Sequence, residues 1–118
     1  VLEHGWAYGS GGTALHGKIL LSAISSGGSE EVYCAKGRNR FTIRQLLAPL
    51  EATARLCGME YPPPFVVHGT HGLSPEAIAS HAEDYRRVIV ALRDGAIDLD
   101  AARDDPRLNT RLDEILRG

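Results

Sequence analysis

The feature that most constrains this 118-residue chain is a short, unbroken apolar run, Lys18-Ile19-Leu20-Leu21-Ser22-Ala23-Ile24-Ser25. It is closed at once by Ser26-Gly27-Gly28-Ser29. Apolar residues that run continuously between turn signals, rather than alternating, describe a strand buried on both faces, as in a parallel sheet. A second run of this kind, Phe65-Val66-Val67-His68, follows the prolines Pro62, Pro63 and Pro64. Two strands do not make a stable sheet, and a strand buried on both faces needs neighbours. The expectation is therefore that a partner chain completes the sheet, or that these residues are the back half of a larger domain. The start at Val1, without an initiator Met, favours the second.

The remainder supplies the connections. Gly5 to Gly17 is rich in glycine (Gly9, Gly11 and Gly12 lie inside it) and reads as loop. Glu30 to Arg40 is polar and also reads as loop. Thr42 is a candidate N-cap for a helix to about Leu56, with Ile43, Leu46, Leu47, Leu50 and Ala54 at helical spacing, a kink or split at Pro49, and Gly58 as the stop. Ser74 and Pro75 open a longer helix that sets Ile78, Tyr85, Val88, Ile89 and Leu92 on one face and ends at Gly95. The segment 96–118 is a tail in which Asp105-Pro106 starts a short amphipathic helix carrying Leu108, Leu112 and Ile115. The order strand, helix, strand, helix is a right-handed parallel crossover with a covering helix, an α/β architecture with a parallel sheet flanked by helices.

Composition narrows the function classes. The chain is 43% hydrophobic and 24% charged, enough apolar material to fold. Thirteen basic and fifteen acidic residues leave a net charge of −2, so no basic field points to nucleic acid. Cys34 and Cys57 are too few for a disulfide framework and suit a reducing compartment. No apolar run approaches the roughly 20 residues that span a bilayer. His68 and His71 lack a placeable third ligand, which leaves no metal site. His4, His16 and His81 read as surface or capping residues, and Cys57 as packing.

The candidate for chemistry is Ser25-Ser26-Gly27-Gly28, at the carboxyl end of a buried strand. Ligands of open parallel sheets bind there, and glycines let a flat or phosphorylated group approach backbone N–H donors. The tetrapeptide by itself reads more readily as a turn than as a binding loop.

Its neighbourhood is more specific. His4-Gly5-Trp6-Ala7-Tyr8-Gly9, Gly11-Gly12-Thr13-Ala14-Leu15-His16-Gly17-Lys18, the Ser25–Gly28 loop, Leu47-Ala48-Pro49-Leu50, Leu56-Cys57-Gly58-Met59, and Pro63-Pro64-Phe65 with His68 occur together. In this order and spacing they resemble the flavodoxin-like NAD(P)H:quinone oxidoreductases, in particular the bacterial ancillary oxidoreductases of glutathione-gated potassium efflux systems. The resemblance covers roughly Val1 to Arg93. It implies the C-terminal half of a flavodoxin-like domain over residues 1–95, with 96–118 as a tail.

The resemblance also implies roles. Ser25, Ser26, Gly27 and Gly28 stand where the family's Thr-Thr-Gly-Gly loop lies along the flavin ring edge. Tyr33 matches the tyrosine beside the flavin carbonyl. Asn39 stands where some relatives carry a proton-relaying histidine, and an amide cannot relay a proton. Trp6 and Tyr8 match aromatics that line the partner's nicotinamide and quinone pocket in a homodimer. The implied chemistry is hydride transfer from NAD(P)H to flavin N5 and on to a quinone, with FMN or FAD as cofactor. The family's phosphate-binding loop, after its first strand, and a second flavin segment, after its third, have no counterpart here, so an isolated copy is expected to hold flavin poorly. Two other readings stand beside this one: a regulatory ancillary subunit that activates a membrane potassium-efflux transporter, and an inactive truncated fragment. The implied location is the cytoplasm, with a possible peripheral place at the inner membrane through that partner.

Overall fold

A computed structural model describes residues 2–34, 37 and 39–117; Val1 and part of the polar 30–40 segment lie outside the described residues. Both apolar runs form strands, β1 (Ala23–Ser25) and β2 (Phe65–Val67), and they pair in parallel with Ile24 opposite Val66. Only the end of the first run is strand. Its earlier part touches the second segment at one isolated parallel bridge, Ile19 with Glu60. Fold class is as the pattern demands: a parallel pair joined through helices.

The expectation of burial on both faces fails for β1. Ala23 and Ser25 are exposed and Ile24 is half-buried, whereas Phe65 and Val66 are buried. The reason is local: β1 has a neighbour on one edge, and its face opens into an apolar groove of about 460 Å³ with Phe65, Leu73, Ile78 and Tyr85.

The first helical segment is split, as Pro49 requires. Thr42 caps α1 (Ile43–Leu46) in a reciprocal box: its hydroxyl accepts from the Gln45 N–H at 3.0 Å, and its own N–H donates to the Gln45 side chain at 2.8 Å. Pro49 has no N–H to continue that ladder, so the chain restarts as α2 (Ala48–Leu56) with the proline in its first turn. The long helix, α3 (Pro75–Asp94), has the expected Ser74 cap and ends at Gly95, whose φ of 65° is the left-handed conformation that glycine adopts most easily. Its apolar stripe is only partly covered. Val88 and Ala91 are buried, while Ile78 and Ile89 are exposed.

The tail departs most from the reading of its spacing. Leu108, Leu112 and Ile115 do not share one helix: a 3-10 turn (Leu108–Thr110) is followed by α5 (Leu112–Ile115), and α4 (Leu99–Ala102) precedes both. All three residues are buried in one core with Phe65, Val88, Ala91, Ile97 and Ala102. Backbone bonds stitch the tail in place, from Leu108 N–H to the Pro64 carbonyl (2.7 Å) and from Asp98 N–H to the Ile115 carbonyl (2.8 Å). The Asn109 side chain accepts from the Val66 N–H at 3.0 Å and donates to the Val66 carbonyl at 2.8 Å. An amide side chain thus takes the place of a neighbouring strand and closes this edge of β2.

Candidate functional site at the carboxyl end of the strand pair

Parallel pairing brings the ends of β1 and β2 side by side, so Ser25–Gly28 emerges next to Val67 and His68. The Ser26 N–H donates to the Val67 carbonyl (2.9 Å), the Thr70 N–H to the Ser26 carbonyl (3.1 Å) and the Gly69 N–H to the Gly28 carbonyl (2.9 Å). Ser26 is buried, and its hydroxyl donates to the Gly28 carbonyl at 3.1 Å. The loop is therefore held through the Ser26 N–H and the Ser26 and Gly28 carbonyls. Among the described residues, no hydrogen bond engages the N–H of Gly27 or Gly28. The His71 side chain lies over Gly27: a Cβ there would stand 2.5 Å from His71 Nε2, so a larger residue would have to displace that exposed imidazole.

The chain then enters a 3-10 turn (Glu30–Val32) and reaches Tyr33. The Tyr33 ring lies against Gly28, at 3.5 Å from where a Cβ on that glycine would stand, and against the His68 imidazole, with ring centroids 5.7 Å apart. The Asn39 N–H donates to the Val32 carbonyl at 3.1 Å, which closes the chain back onto this turn through backbone while the Asn39 residue is exposed. Trp6 and Tyr8 sit elsewhere, in the glycine-rich loop. Trp6 is about half exposed, and Tyr8 packs edge-on against His4 with centroids 5.4 Å apart. Among the described residues, no hydrogen bond or ring contact joins either aromatic to Ser25–Gly28. The structure thus gathers Ser25, Ser26, Gly27, Gly28 and Tyr33, places Asn39 behind their turn, and leaves Trp6 and Tyr8 apart.

Three residues not singled out for the site complete it. The first is His68, one residue beyond β2, with a side chain 13% exposed and Nδ1 buried and, among the described residues, without a hydrogen-bond partner. Glu30 faces its Nε2 at 4.0 Å and accepts on the same oxygen, Oε2, from Arg107 Nε at 2.8 Å. Burial pushes the His68 pKa below its ordinary value. Glu30 opposes this, Arg107 adds to it, and the Gly28 carbonyl and Glu31 oppose it more weakly. His68, Glu30 and Arg107 wall a cavity of about 320 Å³ with Cys34, Thr42 and Pro106. A sequence signal for His68 existed in its position at a strand's carboxyl end; for Arg107, 77 positions from Glu30, there was none.

Chemically, the arrangement offers free backbone donors on a glycine turn, a phenol beside them and an imidazole behind the phenol. It suits the polar edge of a planar ligand. Among the described residues, no group of three or more His, Cys, Asp or Glu side chains could hold a metal ion.

Comparison with known proteins fits this geometry. Residues 1–89 match a family described by its flavodoxin-like fold. The chain is 47% identical over 83 residues to general stress protein 14 of Bacillus subtilis, covering 70% of this chain and 47% of that protein. It is 51% identical over 83 residues to the Bacillus subtilis NAD(P)H oxidoreductase YrkL (70% and 48% covered), and 43% identical over 91 residues to the glutathione-regulated potassium-efflux ancillary protein KefF of Salmonella typhi (77% and 51% covered). Among solved structures, a general stress protein 14 from Treponema denticola in complex with FMN is 38% identical, with a TM-score of 0.72 over 78% of this chain and 52% of that one. The chain spans about half the length of the curated relatives it matches. On the family match, the identities and the shared fold, the chain belongs to the flavodoxin-like fold family.

Proposed function

We propose that this chain contributes the flavin-edge part of an NAD(P)H-dependent oxidoreductase that uses FMN and reduces a quinone. One observation carries the reading: among the described residues, the Ser25–Gly28 turn leaves the Gly27 and Gly28 N–H groups unengaged at the carboxyl end of the parallel pair, with Tyr33 packed beside them. Support comes from relatives, an NAD(P)H oxidoreductase at 51% identity and an FMN complex at 38%, and from an NADPH-quinone reductase of P. pentosaceus at 32% with a TM-score of 0.68. The residues present fit such a cofactor, since the free donors match the acceptors on one edge of a flavin. FMN would supply the two-electron hydride chemistry.

The protein's part is positional and electrostatic. Gly27 and Gly28 donate from backbone fixed through the Ser26 N–H and the Ser26 and Gly28 carbonyls, so little reorganisation accompanies binding. Ser26 holds the Gly28 carbonyl away from the ligand. The Tyr33 hydroxyl donates toward charge developing on the ligand edge, and the exposed Trp6, with Tyr8, belongs to a pocket shared with a second copy in a homodimer. This reading places the protein in the cytoplasm. Identity of 43% to KefF favours a second role beside catalysis, docking on a potassium-efflux transporter.

The test is direct. Protein containing this chain should take up FMN with quenched flavin fluorescence and oxidise NAD(P)H when a quinone is supplied. Tyr33→Phe should slow quinone reduction about tenfold, the scale of one hydrogen bond, while FMN stays bound. Protein that ignores FMN overturns the reading.

A further inference from the structure

The segment 90–118 lies beyond the family match, which ends at residue 89, yet it reaches the candidate site. The reach follows a closed circuit. β2 is gripped at Val66 by the Asn109 side chain, at 3.0 and 2.8 Å. The Asn109 carbonyl accepts from Arg107 Nη1 at 2.8 Å. Arg107 Nε donates to Glu30 Oε2 at 2.8 Å, and that oxygen lies 4.0 Å from His68 Nε2, two residues past Val66. Glu30 opens the turn that delivers Tyr33, and the Tyr33 ring lies beside both His68 and Gly28. The tail is anchored a second time where Arg44 Nη1 donates to the carbonyls of Arg103 (2.7 Å) and Asp105 (3.0 Å).

We propose that Arg107 and His68 are positioning residues of the flavin-edge site, holding the Tyr33 turn against Gly28 through the single carboxylate of Glu30. This rests on the function proposed above and deepens it, by making the tail part of the site. The logic is geometric. A 3-10 turn of three residues has little intrinsic stability, and none of its residues is buried. A guanidinium fixed by its own bond to the Asn109 carbonyl gives the turn a stationary counter-charge. His68 supplies the second contact and the wall on which Tyr33 rests. With Nδ1 buried and, among the described residues, unpartnered, the imidazole favours its neutral form, so at neutral pH Arg107 carries the charge pairing and His68 the packing. On protonation both cations would compete for one carboxylate oxygen. The charged or titratable groups around His68 are Glu30, Glu31, Tyr33 and Cys34 from the turn, Arg44 from α1, and Asp104 and Arg107 from the tail.

The experiment follows the His68 imidazole by nuclear magnetic resonance in the protein containing this chain, together with the ring contact between Tyr33 and His68. Arg107→Gln removes a charge that disfavours the imidazolium, so the His68 midpoint should rise. Glu30→Gln removes one that favours it, so the midpoint should fall. Each shift should be on the order of half a pH unit, as for a partly exposed ion pair. The Tyr33–His68 contact should weaken in both variants, and Arg107→Lys should restore the midpoint better than the contact, because lysine keeps charge without the two-pronged geometry. A midpoint unmoved in Arg107→Gln and Glu30→Gln, or a ring contact indifferent to both, overturns the proposal. If Arg107→Gln does not fold, Glu30→Gln on the exposed turn decides the matter by the same readouts. FMN uptake is measured separately: the predicted shifts in a protein that does not bind FMN would sink the proposed function and leave the clamp standing.

Discussion

β1 and β2 come from similar apolar runs and hydrogen-bond to one another, yet they live in different surroundings. Phe65 of β2 is buried in a core shared with α3 and the tail, and Val66 is buried with the Asn109 amide on its edge, while Ala23 and Ser25 of β1 are exposed. Apolar character therefore does not decide burial. What differs is what lies on the far edge and face. β2 has the Asn109 amide on its edge and Leu108, Leu112 and Ile115 in the core it faces; β1 has an open groove. The Ser25–Gly28 turn belongs to both worlds, because it leaves the exposed strand and is fastened to the buried one. If the turn binds a ligand as proposed, this division suits it: donors outward, and an anchor behind.

The contrast can be broken by mutation. Leu108 is fully buried in the β2 core, so Leu108→Ala should cost about 2–5 kcal/mol in urea unfolding, whereas Ile24→Ala on half-buried β1 should cost about 1 kcal/mol. Equal losses would erase the distinction. Next in size is the edge. Asn109→Ala strips both partners from Val66, an expected loss of about 1–3 kcal/mol, and should speed amide exchange at Val66 more than at Ile24. Exchange rates that stay as they were would show that the amide does not substitute for a strand.

The smallest effect is the pH dependence at the junction. His68 has a folded pKa lowered from about 6.5, so the unfolded chain binds the proton more readily. Stability should then rise with pH across the window between the lowered folded value and about 6.5, and His68→Gln should flatten that window in thermal melts at successive pH values. A slope of the opposite sign would place Glu30 rather than burial in control of the imidazole.

Local elements were legible because their signals are local. Thr42, Pro49, Ser74 with Pro75, and Gly95 mark helix starts, a break and a stop by the backbone chemistry of single residues, and the structure has each where the spacing put it. The glycine turn after the first apolar run was legible for the same reason. The tail was not. Leu108, Leu112 and Ile115 share a helical spacing but occupy a 3-10 turn and a separate short helix, because the Leu108 N–H is drawn to the Pro64 carbonyl and Asn109 to Val66. Those contacts join positions more than forty apart, which no periodicity records.

By itself the sequence determined the helix starts, break and stop before the tail, the two parallel-strand runs, the glycine turn between strand and Tyr33, and the family to which these motifs belong, since each depends on residue chemistry and short-range spacing. Only the tertiary structure decided which strand is buried, that His68 rather than Asn39 stands against the Tyr33 ring, and that Arg107 reaches Glu30 across 77 positions. Those outcomes depend on which surfaces meet once the chain has closed on itself, and a contact across a long loop leaves no trace in the residues beside it.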